Sequence, residues 1–243
     1  VQKGMEVYGH EYGMHFPHAR WPAAPDRRLS AIHDQVKAQG GQFGAYNGWE
    51  RADWYAQPGD DLSWDATQTW GRKGPWQARV RAECEAVRDS VGVLSLPGFS
   101  RFELSGAGAG EWLRGMITGG LPKPGRMSLG YFADPRGRIQ TEMSILTHDE
   151  DRFTLITASV AQWHDLEWLQ KHLAPGLTLV DVSGQNDTLI VSGPKSRDLF
   201  AWITDADLTL PWLSHQKARV AGMPAEMMRV SFAGELGWEV NAR

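Results

Sequence analysis

Along residues 75–93 apolar side chains return every three to four positions. Trp76, Val80, Cys84, Val87 and Val91 fall on one stripe, the period of a helix with one face turned to a core. Pro75 suits its first turn, where a missing N–H costs nothing. Cys84 lies on that stripe, so a buried structural thiol is expected there. The period then changes. "SRFELSG", "GRMSLGYFAD", "GRIQTEMSILT" and "DRFTLITA" read as strands, and Asp134-Pro135-Arg136-Gly137 between the middle two signals a hairpin. "GLTLVDVS", "DTLIVSG" and a pair within "ARVAGMPAEMMRVSF" add further strands. Helices are predicted over "AGAGEWLRGMIT", "VAQWHDLEWLQKHLAP" and, opened by Pro194, "PKSRDLFAWIT". Ser159 with Gln162 reads as a capping box for the second of these. Strands in antiparallel pairs with helices between them predict an α+β fold rather than a doubly wound parallel sheet.

The first 76 residues follow a different rule. Trp21, Trp49, Trp54, Trp64, Trp70 and Trp76 account for half of the chain's 12 tryptophans, in a stretch rich in Gly, Pro, His and Tyr. So few aliphatic residues cannot build a core, and the aromatics are expected to dock on something larger. Only "DRRLSAIHDQVKAQGG" reads as a helix, with Leu29, Ile32 and Val36 on one face and Gly40-Gly41 as its stop. "QPGDDLSWDATQTWGRKG" reads as a long connecting loop. The expected organisation is a module over 1–60, a connection over 61–74 and a main domain over 75–243.

Composition narrows the function. Of 243 residues 42% are hydrophobic and 22% charged, with a net charge of -4; dispersed basic residues predict no nucleic-acid partner. A single cysteine excludes an internal disulfide, and no apolar run reaches the length of a membrane span. The start, "VQKGMEVYGHEYGMHF", has neither an initiator methionine nor a signal core, as expected of a segment of a longer chain. "SGAGAGEW" sits between a strand and a helix, but Glu111 stands where a dinucleotide loop needs its third glycine. His10, His15 and His18 lack the carboxylate or cysteine pattern of a zinc site.

Two stretches hold candidate chemistry. In "RVSFAGELGWEVNAR", Arg229-Val230-Ser231-Phe232 is read as a strand, with Ala233-Gly234 opening a turn and Glu239-Val240 the next strand. Glu235 and Glu239 are either turn residues facing water or, for a carboxylate leaving a Gly-rich turn, a grip for paired N–H donors such as those of a pterin edge. Phe232 would then lie against the ligand face. In "YFADPRGRIQTEMS", Glu142 is either an outward-facing strand residue or an acid placed to steady positive charge.

From about Trp76 onward, "VRDSVGVLSLPGFSRFELSG", "GYFADPRGRIQTEMSI", "DRFTLITAS", "LIVSGPKSRDLF" and "RVSFAGELGWEV" resemble, in order, the folate-binding domain of the glycine-cleavage T-protein (aminomethyltransferase). The preceding "GWERADWYA" resembles the linker module of dimethylglycine and sarcosine dehydrogenases or oxidases, which joins an FAD-dependent amine oxidase domain to a T-protein-like domain. The resemblance implies a T-protein-like fold incomplete at both ends and tetrahydrofolate as the ligand of this segment. It also implies FAD on a flavin domain of the same chain, and a methylated amine such as dimethylglycine or sarcosine as substrate. One carbon would pass to tetrahydrofolate, giving 5,10-methylenetetrahydrofolate, in the cytoplasm of a bacterium or the mitochondrial matrix of a eukaryote. By position, the pterin-gripping glutamate falls on Glu239 and its aromatic partner on Phe232. The catalytic aspartate, on the strand after the family's Gly-Gly-Ile turn, falls on Glu142. Arg138 replaces the second glycine of that turn, and Glu142 is one methylene longer than the aspartate.

Overall fold

Alternation along the strands sorts the apolar residues into three cores, and those cores define the layers. The computed structural model describes residues 1–14, 21, 23–67 and 74–242. The chain opens with α1 (Gln2–Gly9), α2 (His33–Ala38), the hairpin β1 (Gly41–Tyr46) and β2 (Trp49–Tyr55), and a short α3 (Trp64–Thr67). Then come α4 (Pro75–Asp89), β3 (Gly92–Ser95), β4 (Ser100–Ser105), α5 (Ala109–Met116), β5 (Ile117–Thr118), β6 (Met127–Ala133), β7 (Ile139–Asp149) and β8 (Arg152–Thr157). The remainder is α6 (Gln162–His172), β9 (Thr178–Asp181), β10 (Asp187–Ser192), α7 (Ser196–Ile203), β11 (Ser214–Val220), β12 (Met223–Arg229) and β13 (Gly237–Ala242).

The strands form a six-stranded sheet, in order β5-β6-β7-β8-β4-β9, and a five-stranded sheet, β11-β12-β13-β10-β3. Both are antiparallel, as expected of the α+β class. One face of the larger sheet packs Phe102, Leu104, Phe132, Met143, Ile145 and Phe153 onto Leu113 of α5 and Leu169 of α6. One face of the smaller sheet packs Val191, Met227, Trp238 and Val240 onto Phe200 of α7. The two remaining faces meet through Met127, Leu146, Ile156 and Met228. Period-two alternation therefore sends Arg101, Glu142, His148, Glu239 and Asn241 to the layer between the sheets, because their sequence neighbours point at the helices.

The N-terminal residues lie against this body. Arg28 sits over the Trp49 ring at 4.8 Å and donates from Nη2 to Gln162 Oε1 at 3.0 Å. The buried Trp49 also rests on Gly98. Several local expectations need correction. The helix expected over 26–41 is only His33–Ala38, because Arg28 bridges to Trp49 and its carbonyl accepts from Glu50 N; strand-like pairing overrides helix propensity there. The β1–β2 hairpin was missed although Asn47-Gly48, both at positive φ, is its ordinary turn signal. The connection expected over 57–74 contains α3, and 68–73, with Trp70, lie outside the described residues. Cys84 is exposed, not buried; α4 has the predicted stripe, but Trp76, Val80 and Val87 on it are only half-buried, since periodicity specifies a face and not what covers it. Ser159 caps nothing: it begins a 3-10 turn, α6 is preceded by Ala161, and Gln162 bonds Arg28 and Asp181 instead. The strand read through Phe232 stops at Arg229. His10 stacks on Trp21, while His15 and His18 lie outside the described residues. Among the described residues no helix is long and apolar enough to cross a membrane.

Candidate functional site

The layer between the sheets is apolar at one end and charged at the other. At the charged end Arg101 projects from β4 with only 4% of its surface exposed. Its Nη2 donates to Thr188 Oγ1 at 3.0 Å and to Asn241 Oδ1, so one guanidinium ties β4 to β10 and β13. Burial pushes its pKa down to about 10 against the opposing pull of Glu239 and Glu226. Arg101 Nε and Asn241 Nδ2 meet no acceptor among the described residues. Both residues line a cavity of about 500 Å³ with Glu103, His148, Lys217 and Glu226.

Glu239 follows from the register of β13. It pairs with Ile190 of β10 and Met228 of β12, and its neighbours Trp238 and Val240 are committed to the α7 core. The carboxylate therefore points into the inter-sheet layer, half-buried. Burial raises its pKa, and the charge of Arg101 opposes the rise. Its oxygens accept no hydrogen bond from a described residue, which leaves them able to take two parallel N–H donors. Glu235 differs: Ser231 Oγ donates to its Oε2 at 2.9 Å while accepting from Gly234 N, so it closes the turn before β13. Phe232 stands in that turn fully exposed. The structure does not pack its ring against Glu239.

Glu142 lies on the same face of the larger sheet as Leu146, and opposite Tyr131 of β6. That face is covered at Met127 and Leu146, but Leu129, Tyr131 and Glu142 are exposed. No described hydrogen bond or ion pair joins Glu142 to Glu239. The structure thus does not bring the three sequence-predicted residues into contact: Glu239 is half-buried, while Phe232 and Glu142 are exposed. Sequence reasoning missed Arg101, Thr188 and Asn241. Their signal was present in "SRFELS", where Arg101 and Glu103 alternate with Phe102 and Leu104 to mark a polar strand face, though nothing local says what faces it.

A profile of the GCVT N-terminal domain family matches residues 32–243. The chain is 28% identical to the mitochondrial dimethylglycine dehydrogenase of Mus musculus over 99% of its own length and 28% of that protein's. It is 31% identical to the 4-methylaminobutanoate oxidase (formaldehyde-forming) of Paenarthrobacter nicotinovorans, over 97% of this chain and 29% of that one. The chain thus spans less than a third of the length of either relative. In fold it resembles the glycine cleavage system aminomethyltransferase T from Bartonella henselae, with a TM-score of 0.69 at 18% identity, covering 88% of this chain and 53% of that one.

Proposed function

The chain belongs to the GCVT N-terminal domain family, and from that premise we propose that it is the folate-binding part of a flavin-dependent N-methyl amine dehydrogenase. Its ligand is tetrahydrofolate, and its substrate class is that of dimethylglycine or sarcosine. When bound, flavin in a separate domain of the same polypeptide supplies the oxidation of the methylamine, and tetrahydrofolate accepts the one-carbon unit as 5,10-methylenetetrahydrofolate. Residues 1–60 serve as the module that docks this domain to the flavin domain.

The observation that carries the reading is Glu239: a half-buried carboxylate with no donor from the described residues, held near the Arg101 guanidinium. Such a group fits a pterin edge, accepting its N3–H and 2-amino hydrogens as two parallel charge-assisted bonds. Arg101 opposes protonation of Glu239 and so favours the acceptor-only form that this grip requires. The exposed Phe232 offers an apolar ring to the ligand face. Glu142, open to solvent beside Tyr131, steadies positive charge at the reacting nitrogens and holds a proton there.

The test is calorimetric titration of the full-length protein with tetrahydrofolate. Charge-assisted bonds are worth about 1.5–3 kcal/mol each, so Glu239→Gln is expected to weaken binding about 10- to 1000-fold. Phe232→Ala should cost about 1–3 kcal/mol by loss of stacking, and Glu235→Gln, which keeps the Ser231 bond, should change little. A loss with Glu235→Gln but not Glu239→Gln would overturn the assignment. Turnover of dimethylglycine or sarcosine with tetrahydrofolate present should yield methylenetetrahydrofolate. Release of formaldehyde at the same rate with or without tetrahydrofolate would instead place the chain with oxidases that discard the carbon unit.

A further inference from the structure

Beside the Arg101 cluster, side chains from three strands of the two sheets converge on one point. His215 Nδ1 of β11 lies 2.6 Å from Glu226 Oε1 of β12, and His148 Nδ1 of β7 lies 3.8 Å from the same oxygen. All three ligand atoms fall within 4.8 Å of one another. Each ring is anchored from behind by its other nitrogen: His215 Nε2 lies 3.0 Å from Thr147 O, and His148 Nε2 lies 2.8 Å from Thr154 Oγ1. A carbonyl only accepts, so His215 Nε2 carries a proton and Nδ1 is the nitrogen left to offer a lone pair. Imidazoles fixed in this way, with the far N–H on a carbonyl or hydroxyl, are the usual support of a metal-ligating pair.

We propose that His148, His215 and Glu226 form a divalent transition-metal site of the zinc type. The metal would bind both Nδ1 atoms and a Glu226 oxygen, with its fourth position turned to the cavity. Two imidazoles and a carboxylate make a nitrogen–oxygen set that suits zinc far better than magnesium or calcium. Ligand atoms about 3.3 Å apart serve a tetrahedral ion with bonds near 2.0 Å. The two His–Glu226 spacings of 2.6 and 3.8 Å bracket that value and all three atoms lie within 4.8 Å, so changes in spacing of up to about 1.5 Å bring the set to tetrahedral geometry. His215 is buried, whereas His148 and Glu226 line the cavity, which puts the open position on the cavity side. One carboxylate neutralises only half of the ion's charge. With Arg101 and Lys217 lining the same space, the fourth ligand is water, hydroxide or a small anion. Binding releases to solvent the proton shared by His215 Nδ1 and Glu226, and it joins β7 of one sheet to β11 and β12 of the other.

The test uses the full-length protein, stripped with a chelator and titrated with zinc sulfate or cobalt chloride. One equivalent of zinc per chain is expected, and cobalt should give the intense visible bands of a tetrahedral site that zinc then abolishes. His148→Ala and Glu226→Gln should each lower zinc affinity at least about 100-fold, since even the loss of a ligand's supporting partner typically costs 10- to 100-fold. Thr154→Val, which keeps all three ligands, should lower affinity within that range with an unchanged circular dichroism spectrum. His172→Ala, at an exposed histidine of α6, should have no effect. Zinc should raise the melting temperature of the native protein but not of His148→Ala. Absence of saturable binding near one equivalent, or full-affinity binding in both His148→Ala and Glu226→Gln, overturns the proposal.

Discussion

Gly193 is the position where a single methyl group should do the most damage. It follows β10 at φ +126°, and a Cβ there would lie 2.3 Å from Ser90 O, 2.6 Å from Val87 O and 2.9 Å from Val91 Cα. All three are backbone atoms, so no rotamer change relieves the clash. Holding alanine at a strained φ costs about 1–3 kcal/mol, and overpacking of this kind adds about 1–3 kcal/mol. Loss of unfolded-state entropy returns about 0.4–1 kcal/mol, leaving Gly193→Ala destabilised by about 1–5.6 kcal/mol. Gly176 is the control: its φ is +87°, with nothing within 4 Å of the Cβ position. Gly176→Ala therefore carries only the left-handed penalty of about 1–2 kcal/mol, less the same entropy gain. Equilibrium urea unfolding, followed by tryptophan fluorescence with the m-value checked for constancy, should separate the two variants by about 2–4 kcal/mol. The effect should also reach the candidate site. Gly193 N and Ser196 Oγ both bond Leu236 O, just before β13, so Gly193→Ala should weaken tetrahydrofolate binding while Gly176→Ala does not. Equal stabilities for the two variants would refute the reasoning, because the backbone clash is the difference between them.

Two further outcomes follow from the cores and the charges. Phe132 is fully buried and meets Trp168 edge-to-face at 5.8 Å, so Phe132→Ala should cost about 3–5 kcal/mol in the same unfolding assay; a cost below about 1 kcal/mol would mean that the site collapses freely. The Glu239 carboxyl is raised by burial, so the folded state binds more protons than the unfolded chain just above the ordinary carboxylate value of about 4.3. The fold is therefore penalised above the folded pKa of Glu239, and the penalty is relieved as pH falls through that value. A series of melting temperatures across this window should show Glu239→Gln less sensitive to pH than the native chain, and identical slopes would contradict the assignment of a raised carboxyl.

Period alone was enough to read most of the strands and helices. Phe102 and Leu104, or Met143 and Ile145, declare a buried strand face without reference to anything distant, because successive side chains must point to opposite sides. The motif "GELGWE" likewise put Glu235 and Glu239 forward together as carboxylates around a Gly-Trp pair, and the family resemblance, not the local pattern, singled out Glu239. What local pattern could not supply was the occupant of each face. The stripe of α4 predicted a buried Cys84, and the fold leaves that thiol exposed. Residues 26–32 had a helical period, yet Arg28 is drawn into a bridge with Trp49. Arg101, Thr188 and Asn241 are separated by up to 140 positions along the chain, and His148, Glu226 and His215 come from three different strands. Each of those groupings depends on two sheets packing face to face, a long-range event that costs chain entropy and is decided by the summed burial of both faces. Side-chain chemistry and period are written residue by residue. Which polar groups meet is settled only when the sheets close on each other.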